Sequence, residues 1–175
     1  MHNKVAYMLA RSQLENGSIA VRFNFRGVGK SVGEHADGIG EVDDVLAVFK
    51  WVKQQWPGVP INLAGFSFGS YVSLLVVQNP ETNSTYNIQN LITVAPPVGR
   101  WSFEDIQAPK IPWLVIQGKD DDLVDAQAVR DWCAELKNPD YFEIEGADHF
   151  FHGKLGDLRE IIQNWNLITE SVSNN

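Results

Sequence analysis

The stretch Ile61-Asn62-Leu63-Ala64-Gly65-Phe66-Ser67-Phe68-Gly69 decides how the rest of the chain is read. Ile61 to Phe66 is a short apolar run of the kind that forms a buried strand, and Ser70 to Gln78 follows with a helical pattern. Between them stands Gly65-Phe66-Ser67-Phe68-Gly69, a G-x-S-x-G pentapeptide. In such a strand-to-helix turn the serine takes a strained backbone conformation that lifts its Oγ clear of the sheet. The flanking glycines let neighbouring backbone approach without a Cβ clash. The next amide, Phe68 N–H, falls at a helix N-terminus, where it can stabilise negative charge developing on oxygen. The pentapeptide alone recurs by chance, and its place after a strand and before a helix is what favours a nucleophile over a merely exposed serine.

The chain of 175 residues, 44% hydrophobic and 21% charged, fits one domain spanning 1–175 with a sizeable core. Its formal charge of −8 argues against nucleic acid as a partner, because phosphate binding needs a clustered basic face, and against anionic membranes for the same reason. No stretch is long and apolar enough to span a bilayer. The N-terminus lacks the apolar region and cleavage site of a signal peptide. With one cysteine, Cys133, no internal disulfide is available, and a cytoplasmic location is expected. Cys133 shares helical spacing with Val129, Trp132 and Leu136 and is read as core packing.

Outward from the central stretch, residues 3–15 place Val5, Met8, Leu9 and Leu14 on one side and end at Asn16-Gly17, which predicts a first helix. Ser18 to Phe25 alternates and is rich in Val, Ile and Phe, which predicts a strand. The loop Arg26-Gly27-Val28-Gly29-Lys30-Ser31 looks like a phosphate cradle, but neither nucleotide-binding glycine spacing is met. His35, in the polar stretch 33–40, is read as solvated. Glu41 to Trp56 carries the stripe Val42, Val45, Leu46, Phe49, Val52 and Trp56 and stops at Pro57-Gly58, a helix. Pro80 to Gln89 is read as a polar loop. Further strands are expected at 91–95, 113–117 and 141–144, with helices starting after Asp125 and over 155–165. Strands separated by helices mean a mostly parallel, doubly wound sheet covered on both faces, a three-layer α/β/α architecture. Ligands in such sheets collect at the carboxyl ends of the strands.

Ser67, the run Asp120-Asp121-Asp122 and His149 each follow the carboxyl end of a different strand, on one edge of the sheet. Acyl transfer through serine needs a base to take the Oγ proton and an acid to fix that base's tautomer. His149 suits the base better than His2 or His35, placed far from strand ends, or His152, placed in the start of the last helix. Three neighbouring carboxylates also suit a solvated turn or a weak cation site, but no His/Asp/Glu spacing supplies further ligands, so neither metal nor cofactor is expected. Asp121 is taken as the acid.

The chain resembles the α/β-hydrolase fold, and within it the small lidless bacterial group described as dienelactone-hydrolase-like or of the testis-expressed-30 type. The likeness rests on Arg22-Phe23-Asn24-Phe25-Arg26-Gly27-Val28-Gly29-Lys30-Ser31, Leu63-Ala64-Gly65-Phe66-Ser67-Phe68-Gly69, Val94-Ala95-Pro96-Pro97, Val115-Ile116-Gln117-Gly118 and Gly146-Ala147-Asp148-His149-Phe150-Phe151-His152-Gly153. The order Ser, Asp, His is that of this fold. The resemblance implies Ser67 as nucleophile, His149 as base and Asp121, three residues after the glycine closing its strand, as acid. Dienelactone hydrolases themselves use cysteine as nucleophile, so Ser67 argues against their substrate.

The resemblance also implies further N-terminal strands and a His-Pro, Gly-Gly-Thr loop carrying a second oxyanion donor, its strand lying between those expected at 18–25 and 61–66. On that reading the fold is N-terminally shortened, and a homo-oligomer filling the space is one expected outcome. The expected activity is hydrolysis of small-molecule acyl esters or thioesters, with Phe68 N–H as oxyanion donor. The alternative is a non-catalytic remnant lacking half its oxyanion hole. The stretch from Ala95 to Ile111 is too short for a cap domain, which leaves Trp101 and Phe103 as candidate walls of an acyl pocket.

Overall fold

The computed structural model describes residues 3–173. In chain order the elements are α1 (Lys4–Glu15), α2 (Ile39–Gln55), β1 (Ile61–Phe66), α3 (Phe68–Val77), α4 (Pro80–Tyr86) and β2 (Ile88–Val94). β3 (Trp113–Gly118), α5 (Ala126–Leu136), β4 (Asp140–Ile144) and α6 (Leu155–Ser173) complete the series. The strands are all parallel and adjacent in sequence order, β1-β2-β3-β4.

Alternation along the strands builds two cores. Leu63, Leu91, Trp113 and Val115 turn to one face, where Val45 and Phe49 of α2, Val72 and Leu74 of α3, and Val129 and Trp132 of α5 cover them. Ile92, Val94, Leu114 and Ile116 turn to the other, beneath Val5 and Leu9 of α1 and Leu158 and Ile162 of α6. β3 is therefore buried at every position, as a strand covered on both faces must be. Each fully buried Leu or Ile there contributes about 1.5–3 kcal/mol. Thr93, a polar group placed in this sandwich, is satisfied by Trp113, whose Nε1–H donates to its Oγ1 at 3.0 Å. Cys133 is buried as expected of a packing residue.

Two expected elements differ. Ser18 to Phe25 forms no strand, because a strand exists only through its ladder and this segment has no partner; β1 is the edge of the sheet among the described residues. Phe23 and Phe25 still pack on the core, while Ile19 and Val21 on the same parity stay exposed. The edge position shows on β1 as well, where Asn62 and Ala64 are exposed between buried neighbours. The second difference is α4, which occupies most of the expected loop 80–89. Asn79 starts it by accepting Glu81 N–H at 2.9 Å and Thr82 N–H at 3.4 Å, with Pro80 in the first turn, where its missing N–H costs nothing.

Candidate active site

Ser67 joins β1 to α3 with φ 52° and ψ −120°, a left-handed backbone that a serine adopts only when its surroundings impose it. Those surroundings are specific. A Cβ at Gly65 would lie 2.2 Å from Gly69 O and 2.6 Å from Ser70 N, so only glycine lets α3 leave the strand this sharply. Gly69 is open on its own Cβ side, so the clash expected of both glycines concerns Gly65 alone. Ser67 N–H donates to Val94 O at 2.8 Å, carrying the β1–β2 ladder into the turn. The buried Ser70 hydroxyl lies 2.9 Å from both Gly65 O and Val94 O, and accepts Val94 N–H at 3.2 Å.

His149 follows β4 and is 4% exposed. Its Nε2 stands 3.0 Å from Ser67 Oγ and its Nδ1 2.8 Å from Asp121 Oδ2. An ionised carboxylate only accepts, so Nδ1 carries the proton and Nε2 presents a lone pair to the serine hydroxyl. The loop bearing His149 is fixed by Asp148, whose Oδ1 accepts Phe150 N–H at 3.1 Å and His152 N–H at 3.0 Å, and by Phe151, wholly buried in the α1–α6 core. Gly118 is the close approach here: a Cβ would lie 2.5 Å from Ala147 O.

The Asp121 carboxylate is buried and fully engaged. Oδ1 accepts Leu123 N–H at 2.9 Å and Val124 N–H at 2.8 Å, and Oδ2 accepts Gln117 Nε2–H at 2.9 Å besides His149. Burial pushes its pKa up, but the hydrogen bonds from His149 and the two amides outweigh that and hold it below the usual carboxylate range. Asp120 and Asp122 are exposed and take no part in this chain of hydrogen bonds. Ser67, His149 and Asp121 are thus brought together in one row, on the edge where the strands end.

Rings flank the serine. Phe66 and Phe150 lie 5.1 Å and 5.2 Å from the His149 ring. On the other side Phe68 meets Trp101 at 5.2 Å, and Trp101 stacks on Tyr71 at 5.8 Å. Phe103 differs from the expectation of a pocket wall: it is 4% exposed, packed between Tyr71 and Trp132, and belongs to the core. Sequence reading missed Gln117, Phe150 and His35. Gln117 had a signal, a lone amide inside an apolar strand. His35 is exposed, as expected, but it is not remote from the site: its ring lies against the Phe68 ring, at 4.9 Å.

Phe68 N–H sits in the first turn of α3, where an amide has no acceptor within the helix. Among the described residues no group of three or more His, Cys, Asp or Glu is arranged to hold a metal ion, and no helix is long and apolar enough to cross a membrane.

A parallel sheet wrapped on both faces, with a strained serine, a histidine and an aspartate at its strand ends, defines the class of α/β hydrolases. Residues 2–103 match the family model described as serine aminopeptidase, S33. An uncharacterized protein of Rickettsia prowazekii (strain Madrid E) is 35% identical over 182 residues, covering 98% of this chain and 74% of that protein. An α/β serine hydrolase without lid from Xanthomonas campestris is 49% identical with a TM-score of 0.83, covering 94% of this chain and 73% of the other. An α/β serine hydrolase homologue from Coxiella burnetii is 41% identical with a TM-score of 0.84, covering 94% and 76%. The chain belongs to the α/β-hydrolase superfamily, in the group that the serine aminopeptidase S33 model describes.

Proposed function

We propose that this hydrolase cleaves acyl esters or thioesters of small molecules through Ser67, His149 and Asp121. The observation that carries the reading is the unbroken row Ser67 Oγ, His149 Nε2 at 3.0 Å, His149 Nδ1, Asp121 Oδ2 at 2.8 Å. As Oγ attacks the acyl carbonyl carbon, His149 Nε2 takes its proton, and the carbonyl oxygen gains the negative charge that Phe68 N–H receives. Asp121 keeps Nδ1 protonated and stabilises the imidazolium, remaining ionised itself. The tetrahedral intermediate collapses, its leaving oxygen or sulfur takes the proton from Nε2, and the acyl group stays on Ser67. Water, deprotonated by His149, then attacks the acyl carbon; the second intermediate releases the acid and returns the proton to Oγ.

The acyl group would lie along Trp101 and Phe68, with Phe150 on the histidine side. The lidless Xanthomonas campestris structure supports an open site that admits small, varied esters. A fluorophosphonate probe tests the reading. Covalent mass gain mapped to Ser67, absent in Ser67→Ala, is the expected result. A chain that folds, fails to react and hydrolyses neither p-nitrophenyl acetate nor acetyl thioesters would leave the non-catalytic alternative in its place.

A further inference from the structure

The loop at 33–38 is held far more firmly than its polar composition requires. Glu41, in the first turn of α2, is wholly buried, and a buried carboxylate persists only where donors surround it. Its Oε1 accepts Ala36 N–H at 2.9 Å, its Oε2 accepts Gly38 N–H at 2.9 Å, and His35 Nδ1 stands 3.0 Å from Oε1. Burial pushes the Glu41 carboxyl up, but the amide hydrogen bonds prevail and hold it below its ordinary value. Arg26 ties the neighbouring loop to the same helix, its Nη2 2.8 Å from Asp44 Oδ1 and its own N–H 2.9 Å from Asp44 Oδ2.

What this anchoring delivers is one ring contact. The His35 imidazole lies 4.9 Å from the Phe68 ring, tilted by 60°. Phe25 meets the same ring at 5.8 Å and Trp101 meets it at 5.2 Å. Three rings therefore enclose the side chain of the residue that follows Ser67. Its amide shares a peptide plane with Ser67 C=O, which accepts Ser70 N–H at 2.8 Å and Tyr71 N–H at 3.4 Å, and the packed Phe68 ring holds that plane from its other end. Donors to a developing oxyanion must be placed within a few tenths of an ångström, and misplacement by about 1 Å costs on the order of 10²-fold in rate.

We propose that His35, anchored by the buried Glu41, is a positioning residue that braces the Phe68 ring and so aims Phe68 N–H at the oxygen of the reacting acyl group. This rests on the reading of Ser67 as nucleophile. Histidine is the residue type that supplies both parts, a flat ring for Phe68 and an Nδ1–H for Glu41. Phenylalanine keeps the ring without the donor, and glutamine keeps a donor without the ring.

The experiment compares His35→Ala, His35→Phe and His35→Gln in the full chain, by p-nitrophenyl acetate kinetics and by the backbone order parameter of Phe68 N–H from ¹⁵N relaxation. His35→Ala should lower kcat by about tenfold or more while KM stays within about twofold. His35→Phe should recover kcat to within about threefold, and His35→Gln should not. The Phe68 order parameter should fall in the Ala and Gln variants and be restored in Phe. An effect on KM alone, recovery by Gln rather than Phe, or an unchanged order parameter in His35→Ala overturns the proposal. Should the wild type show no Ser67-dependent turnover, the proposed function is lost, and the order parameters alone then support or overturn the brace. Should His35→Ala fail to fold, the contrast between Phe and Gln decides.

Discussion

Replacing Asp121 with asparagine removes one charge and changes one atom, yet the site should lose nearly all turnover. The wild-type carboxylate faces four donors: the amides of Leu123 and Val124 on Oδ1, Gln117 Nε2–H and His149 Nδ1–H on Oδ2. Asparagine has one acceptor oxygen. The two backbone amides cannot turn away, so that oxygen goes to them and the NH₂ faces Gln117 and His149. Gln117 can adapt by rotating its amide, since its Oε1 is buried with no hydrogen-bond partner and is free to accept. His149 can adapt only by moving its proton to Nε2, after which Nε2 cannot take the Ser67 proton. The same swap in a serine protease triad lowers kcat by about 10⁴, which corresponds to about 5 kcal/mol of transition-state stabilisation. The assay is p-nitrophenyl acetate turnover by Asp121→Asn beside Asp120→Asn and Asp122→Asn, whose exposed carboxylates should matter by no more than about threefold. Loss within tenfold in Asp121→Asn, or a larger loss at Asp122, would refute the tautomer argument.

The folded Asp121 carboxyl titrates below its unfolded value, so the stability it lends is present above the ordinary aspartate pKa of about 3.9 and disappears as pH falls through the lower folded value. Melting temperature should therefore drop in acid more steeply for the wild type than for Asp121→Asn, and parallel curves would contradict this. Gly65→Ala sets a Cβ against backbone that cannot yield, and urea unfolding should show a loss of about 1–3 kcal/mol or more; a midpoint unchanged within error would mean the turn is not closed as described. Ser70→Ala removes a buried hydroxyl that bonds Gly65 O, Val94 O and Val94 N–H, and unfolding should register about 1–3 kcal/mol with a fall in turnover. Burial pushes the Cys133 thiol up to about 12, so a disulfide reagent at pH 8 should label it only after unfolding, and rapid native labelling would contradict its placement.

Much of this fold was legible because its signals are local. The apolar run at 61–66, the Asp125 cap and the stripe Leu158, Ile162 and Trp165 each announce an element without reference to anything distant. Ser67, the run Asp120-Asp121-Asp122 and His149 could be placed together because strand-end order in a parallel sheet brings residues remote in sequence to one edge, while the family resemblance selected Asp121 within the run. The expectations that changed depended on encounters. Ser18 to Phe25 has the composition of a strand, but pairing is a property of two segments, and β1 does not pair with it. Phe103 and Trp101 share a short loop, yet one is buried against Trp132 and the other stands over Phe68, a difference set by where the loop meets α3 and α5. His35 read as solvent-facing because its neighbours are polar. Exposed it is, but the buried Glu41 holds it against the Phe68 ring, and the burial of Glu41 is something no local pattern announces.

The left-handed Ser67 is where fold stability and site chemistry are joined. A non-glycine residue in such a conformation costs on the order of 1–3 kcal/mol, and it persists only when its surroundings determine it from several sides. Here those sides are the Ser67 N–H bond to Val94 O, the Ser70 hydroxyl among Gly65 and Val94, and the bare face of Gly65 against Gly69. All three run through the β1–β2 pair, in which Gly65 aligns with Thr93 and Phe66 with Val94. β2 is itself held by β3, and β3 by β4, whose ends carry Asp121 and His149 into reach. The register of the sheet thus sets the separation between Ser67 Oγ and His149 Nε2. A core substitution that slid β2 against β3 by a fraction of an ångström would therefore lengthen that hydrogen bond without touching any of the three side chains.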